Sequence, residues 1–171
     1  MKIQKLTIEN RPRVYALLRL AFPSTPSKAE LVEKLHENDR PLHEWVCLQS
    51  NRIIAYIAFS NAYDKEVCGL HLGPMAVTPE FQRQGVGSEL LRFVLRQEEI
   101  KSQPLFVDGR PGYFSKFGFE SCSNPICPYD KDNAHFLSMR NNSSAKFIVE
   151  YEPEFKPAVR TLPAKRNSRR N

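Results

Sequence analysis

The sequence predicts a mixed α/β domain with a mixed central sheet, flanking helices and one parallel strand pair near its middle. Three observations carry that prediction. Extended and helical apolar periodicities follow one another in the order β-α-α-β-β-β-α-β-α-β-β. At residues 70–108 a strand, a helix and a second strand come in succession, which requires a right-handed crossover between parallel neighbours. A length of 171 residues, 41% hydrophobic and 26% charged, suits one globular domain with its own core.

Each element has its own signal. Residues 1–9, "MKIQKLTIE", alternate as a first strand. Asn10 is placed to cap the next helix, with Pro12 in its first turn and "RVYALLRLAF" as its amphipathic body. "PSTPSK" breaks that helix and caps the second, "KAELVEKLHEN", which "DRP" ends. "EWVCLQ" and "RIIAYIAFS" flank the turn pair Ser50-Asn51 and read as a hairpin.

The next stretch, "VCGLHLGPMAVTP", changes apolar parity: Leu70 and Leu72 are even, Met75 and Val77 odd. A strand keeps one face buried through such a change only with an extra residue, so a bulge is expected at Gly73-Pro74. A helix over about 85–101 follows, then the short buried strand "PLFVDG". "PGYFSKFG" is a short helix or turn ended by Gly118, and "AHFLSMR" with "KFIVEYE" reads as a closing strand pair.

Charge divides unevenly. The formal net charge is +6, yet residues 1–155 hold 19 basic and 19 acidic side chains. The excess is Lys156, Arg160, Lys165, Arg166, Arg169 and Arg170. The expected organisation is therefore a neutral domain at 1–155 and a basic, flexible tail at 156–171. Such a tail is either a solvated terminus or a handle for nucleic acid or an acidic partner. No apolar run approaches the roughly 20 residues that span a bilayer. The start lacks a signal-peptide core, so the expected address is the cytoplasm. Cys47, Cys68, Cys122 and Cys127 form no C-x-x-C pair and have no nearby His cluster. Reduced, mostly buried thiols are expected rather than a metal site.

The chemistry concentrates at the crossover. Ligands of such units bind at the carboxyl ends of the strands, where residues 82–87 lie. The first amides of a helix have no intrahelical partner and sit at its positive pole, which suits phosphate oxygens. Gly85 and Gly87 remove side chains where a ligand approaches the backbone. Arg83 adds charge at the rim, and Gln82 is placed to brace the loop. The third glycine of a dinucleotide fingerprint is missing, and no Gly-Lys-Ser/Thr of a P-loop follows.

Gln82-Arg83-Gln84-Gly85-Val86-Gly87 matches Gln-x-x-Gly-x-Gly. It resembles the acyl-CoA pyrophosphate loop of the GNAT N-acetyltransferases. "LGPMAVTPEFQRQGVGSELL" is similar to the family's central strand and loop, and "YFSKFGFE" to its late aromatic–x–Lys/Arg–x–Gly–Phe element. The closing "AHFLSMR…KFIVEYEPEF" resembles the YhbS-like bacterial branch. The likeness spans about residues 1–155.

The resemblance implies a sheet of about seven strands with a splayed parallel pair. It also implies transfer of acetyl from acetyl-CoA to a primary amine by direct attack. Main-chain groups of Met75, Ala76 and Val77 are then expected to pair with the pantetheine amides. The N–H groups of Arg83, Gln84, Gly85, Val86, Gly87 and Ser88 are expected to hold the pyrophosphate, with Phe114 a further cofactor contact. A backbone N–H of Met75 or Ala76 would polarise the thioester carbonyl.

Many members carry an acid tyrosine five residues before the final Phe. Here that position is Phe114, which has no proton to give, and Tyr113 stands next to it. Tyr113 and solvent are the two candidates for protonating the thiolate. His71, through water, and Asp108 are candidate bases, although Asp108 is equally placed to cap the following helix. Asp64 and Glu66 are expected to be solvated. The acceptor is a small-molecule or peptide amine, and the chain a monomer or homodimer. Phe114 also motivates an alternative: a CoA-binding regulatory protein without turnover.

Overall fold

Ser50 and Asn51 both adopt left-handed backbone angles, with φ of 47° and 61°. This is the two-residue hairpin turn whose twist matches that of its strands. It joins β2 (Leu42–Gln49) to β3 (Arg52–Asp64) as the sequence predicts. The computed structural model describes residues 1–130 and 132–156. The basic tail, apart from Lys156, lies outside the described residues.

Around this hairpin the sheet grows in both directions. β1 (Lys2–Lys5) runs antiparallel to β2, and β4 (Glu66–Val77) antiparallel to β3. β5 (Leu105–Asp108) lies parallel to β4, followed by β7 (Phe136–Met139) and β6 (Glu120–Ser121). The order is β1-β2-β3-β4-β5-β7-β6, with β8 (Glu150–Tyr151) paired to β3 off this path. α1 (Arg11–Ala21) and α2 (Ser27–Glu37) cover one face, while α3 (Val86–Val94) and α4 (Pro111–Phe114) cover the other.

Each layer follows from its apolar spacing. α3 buries Val86, Leu90, Leu91 and Val94 against Leu70, Leu72 and the aliphatics of β3. Each such side chain stabilises by roughly 1.5–3 kcal/mol. α1 buries Val14, Leu17 and Leu18 on the opposite face, over Tyr56, Ala58 and Ala76. A buried polar chain ties that face together. Tyr15 Oη meets His36 Nδ1 at 2.8 Å, and His36 Nε2 meets Glu44 Oε1 at 2.8 Å. The Tyr56 hydroxyl donates to the same Glu44 oxygen at 2.6 Å.

The bulge stands where parity placed it. Ile57 faces Met75 and Phe59 faces Leu72, so Ala58 alone opposes Gly73 and Pro74. Leu70, Leu72, Met75 and Val77 thereby all pack beneath α3. β4 and β5 pair only through Leu70–Leu105 and His71–Phe106. Past the bulge β4 has no partner strand on its β5 side among the described residues.

Several details differ from the sequence reading. The first strand ends at Lys5, and a 3-10 turn at Ile8–Asn10 leads directly into α1. Asn10 makes no side-chain cap; it accepts from Arg13 and donates to Thr7 instead. α2 likewise begins at Ser27 without a side-chain cap. α3 stops at Val94 rather than about 101. Its C-terminal amides shift to i→i−3 bonds at Arg96 and Gln97, a tightening that lets Ile100 fold back into the core. The Arg140 guanidinium fixes the end of that turn by donating to the carbonyls of Ile100 and Gln103.

β7 and β8 do not pair with each other. Both edges of β7 are taken, by β5 and β6. Residues 147–149 bond to Ile126, which delivers Glu150–Tyr151 to the free edge of β3 at Ala62 and Tyr63. All four cysteines are free, and Cys47, Cys122 and Cys127 are buried. No helix among the described residues is long and apolar enough to cross a membrane.

Candidate active site

Two glutamines shape the loop between β4 and α3. Gln82 Nε2 donates to the Val77 carbonyl at 3.0 Å, and Gln84 Nε2 to the Glu80 carbonyl at 2.7 Å. Between them the backbone turns left-handed at Arg83, φ 60°, and again at Gly85, φ 84°. A Cβ on Gly85 would meet nothing within 4 Å, so the space there is open. Conformation, rather than crowding, selects glycine at that position. The amides of Val86, Gly87 and Ser88 have no backbone partner among the described residues; the first intrahelical bond runs from Glu89 N–H to Gly85 O.

Gly87 is selected by close approach. A Cβ there would stand 3.0 Å from Met75 Cε, 3.3 Å from Val77 Cγ2 and 3.4 Å from Tyr113 Oη. Three separate segments therefore meet at this point: the strand beyond the bulge, the start of α3 and the aromatic turn of α4. Met75, Val77, Gly87 and Tyr113 are gathered on one face of the sheet, and Ser88 adjoins them. Ala76, between two of them on β4, points to the other face and packs with α1 and α2.

Tyr113 and Phe114 part company here. Phe114 is 9% exposed and packs in the core, edge-on to Phe119 at 5.6 Å between centroids. Tyr113 is half-buried with its hydroxyl at the Gly87 backbone. Burial raises its phenol above the ordinary tyrosine value, while the Ser88 hydroxyl and the Arg92 charge oppose that shift.

His71 lies on the α1–α2 face. Its ring stacks on Tyr151 at 3.7 Å, with Phe155 edge-on at 4.6 Å. Burial, and then the charge of Lys28, pull its imidazole down to about 3, so it is neutral at physiological pH. The ring approaches the bulge, with Cε1 and Nε2 both 3.7 Å from a Cβ position on Gly73. Asp108 is exposed at the end of β5; partial burial and the Asp130 charge raise its carboxyl. It does not cap α4, whose N-cap residue is Arg110 and which has no side-chain cap. Asp64 and Glu66 are exposed at the β3–β4 turn.

Tyr151 and Phe155 were not singled out in the sequence. Their spacing in "EYEPEF" carries no catalytic pattern, and β8 has to dock on β3 before they reach His71.

The sequence model of the Acetyltransferase (GNAT) family matches residues 11–102. The chain belongs to the GNAT acetyltransferase family.

A curated relative is the uncharacterised N-acetyltransferase YjhQ of Escherichia coli K12. The two are 32% identical over 103 residues, 56% of this chain and 57% of YjhQ. The alignment thus spans little more than half of that relative. In fold, this GNAT chain is similar to the E. coli GNAT family N-acetyltransferase YhbS, solved in complex with CoA. The TM-score is 0.82 at 24% identity, covering 90% of this chain and 91% of YhbS. A GNAT family acetyltransferase of Brucella melitensis, solved with acetyl-CoA, gives 0.76 at 22% identity, covering 91% and 97%.

Proposed function

We propose that the chain is an N-acetyltransferase that transfers acetyl from acetyl-CoA to a primary amine by direct attack. The observation that carries this reading is the stretch of β4 beyond Gly73 that has no partner on its β5 side among the described residues, lying beside the free amides at the start of α3. The residues present fit the donor. The space at Gly85 is open, Gly87 has no side chain, and the helix amides have no protein partner among the described residues.

In this reading the amides of Arg83 to Ser88 hold the pyrophosphate at the positive pole of α3. Main-chain groups of Met75, Ala76 and Val77 pair with the pantetheine amides as an added strand would. Gln82 keeps the loop open through its bond to Val77 O. When bound, acetyl-CoA supplies an activated acyl group and a thiolate leaving group. A β4 amide, of Met75 or Ala76, polarises the acyl carbonyl. Tyr113 is the proton donor. Its hydroxyl lies at the β4–α3 junction, and its raised phenol remains protonated at neutral pH. Phe114 supports Tyr113 from the core, with centroids 5.1 Å apart. His71, held neutral at about 3 beside the bulge, is too weak a base to take up the amine proton and serves only as a hydrogen-bond acceptor there, so the amine loses its proton to solvent before attack.

Residues 1–155 form the catalytic domain in this account, and 156–171 a basic extension. The test is release of free CoA thiol from acetyl-CoA across a panel of primary amines. Amine-dependent release supports the reading. Saturable acetyl-CoA binding without thiol release over the whole panel contradicts turnover and leaves a CoA-binding protein.

A further inference from the structure

Three of the five buried side-chain atoms with no hydrogen-bond partner among the described residues are Ser60 Oγ, His71 Nδ1 and Tyr151 Oη. Their residues are 0%, 7% and 6% exposed. Leaving such a group unmet costs roughly 1–3 kcal/mol, and native structures seldom tolerate it without a ligand or water. These three are also neighbours. Ser60 and His71 face each other across β3 and β4, and the His71 ring lies flat on Tyr151.

Two carboxylates border this cluster. His71 is in register with Phe106 on β5, and Asp108, two residues on, shares that face at the strand's carboxyl end. Asp130 is brought to the same end by two hydrogen bonds. Gly109 N–H donates to His135 O at 2.9 Å, and His135 N–H donates to Asp130 Oδ2 at 2.8 Å. The charges act on one another: Asp130 raises the Asp108 carboxyl, and Asp108 adds to the burial that raises Tyr151. One cation, Lys28 at the start of α2, acts on both His71 and Asp108.

We propose that the acceptor binds where this cluster meets Asp108 and Asp130 and that its substrate is an amine bearing a second positively charged group. The proposal rests on the acetyl-transfer reading. One amine nitrogen would lie toward the bulge, beside the neutral His71 edge. The distal cation would lie between Asp108 and Asp130. The paired carboxylates, faced by His135 and Lys28, favour a cation at the distal end and oppose an acceptor ending in carboxylate.

The experiment compares 1,4-diaminobutane, 1-aminobutane and 4-aminobutanoate at matched concentrations. It measures CoA thiol release and also amine binding to the CoA-loaded protein by calorimetry. The diamine should exceed the monoamine in kcat/KM by about tenfold or more, as a hydrogen-bonded charge pair allows. The aminobutanoate should rank lowest. Asp108→Asn, and separately Asp130→Asn, which keeps an oxygen for His135 N–H, should remove the preference.

Equal kcat/KM for the diamine and monoamine overturns the inference. So does an equal loss for both amines in Asp108→Asn, which would make that residue a proton acceptor for either. An aminobutanoate that outranks the diamine overturns it in favour of Lys28 as the distal anchor. Failure of the diamine both to bind and to react also overturns it, provided that acetyl-CoA binds. If acetyl-CoA itself does not bind, the donor reading fails first.

Discussion

The hydroxyl of Tyr113 lies 3.4 Å from the point where a Cβ on Gly87 would stand. That relationship places the aromatic turn of α4 against the first turn of α3 and makes Tyr113, not Phe114, the hydroxyl at the junction. Tyr113→Phe is expected to lower kcat by about 10²-fold, within the range of general acid catalysis, with acetyl-CoA affinity little changed. The phenol is raised above its ordinary value, so wild-type kcat should show no loss attributable to Tyr113 between pH 7 and about 9. A pH–rate profile of both proteins checks this; equal kcat values would remove Tyr113 from the chemistry.

Phe114→Tyr tests the same assignment from the core. The added hydroxyl enters a site packed by Phe119 and the Tyr113 ring. Without a partner it should destabilise by about 1–3 kcal/mol. In the Tyr113→Phe background it should restore little activity. Recovery of the wild-type rate by that double variant would show that the core position reaches the sulfur after all.

Gly87→Ala should fold, because the nearest clash is with Met75 Cε, the far end of a flexible side chain. The added methyl narrows the gap between β4 and Tyr113. The expected result is acetyl-CoA binding weakened by about tenfold with a small change in Tm, read by calorimetry and thermal unfolding. Unchanged affinity would mean that the donor does not pass this point.

His71 gives a pH signature. Its folded imidazole is held at about 3, against an ordinary value of 6.5. Below pH 6.5 the unfolded chain gains a proton that the native state refuses. Stability is therefore lost as pH falls from about 6.5 toward 3, at about 1.4 kcal/mol per unit from this group. His71→Phe keeps an aromatic ring against Tyr151, and between pH 6 and 4 its urea-derived stability should fall less steeply by about one proton. Parallel curves for the two proteins would contradict the buried neutral state.

Glu44 joins three elements through His36 and the fully buried Tyr56. Glu44→Ala leaves both without their acceptor and should cost about 2–4 kcal/mol of stability. Tyr56→Phe removes one donor only and should cost less. Equal losses on chemical denaturation would mean that the network does not act through Glu44.

Much of this was legible in the sequence because the signals were local. The parity change at Gly73-Pro74 required an extra residue, and the structure has one. Ser50-Asn51 marked the hairpin, and Gln82 has the bracing role its position implied. Non-local choices were not legible. Whether Glu150–Tyr151 pairs with β7 or β3 depends on which edges are already filled. The end of α3 depends on Ile100 finding room in the core and on Arg140, far along the chain, meeting its last carbonyls. The site divides in the same way. The α3 loop is contiguous and could be read directly, whereas the cluster of Ser60, His71, Tyr151, Asp108 and Asp130 is assembled from distant segments and required the fold.

The central claim is that the bulge, the open strand edge and the α3 amides form an acetyl-CoA site. Thermal unfolding with increasing acetyl-CoA tests it most directly. Saturable stabilisation is expected, reaching about 2.7 kcal/mol at 100 times the dissociation constant. No shift in Tm at millimolar acetyl-CoA would contradict the account.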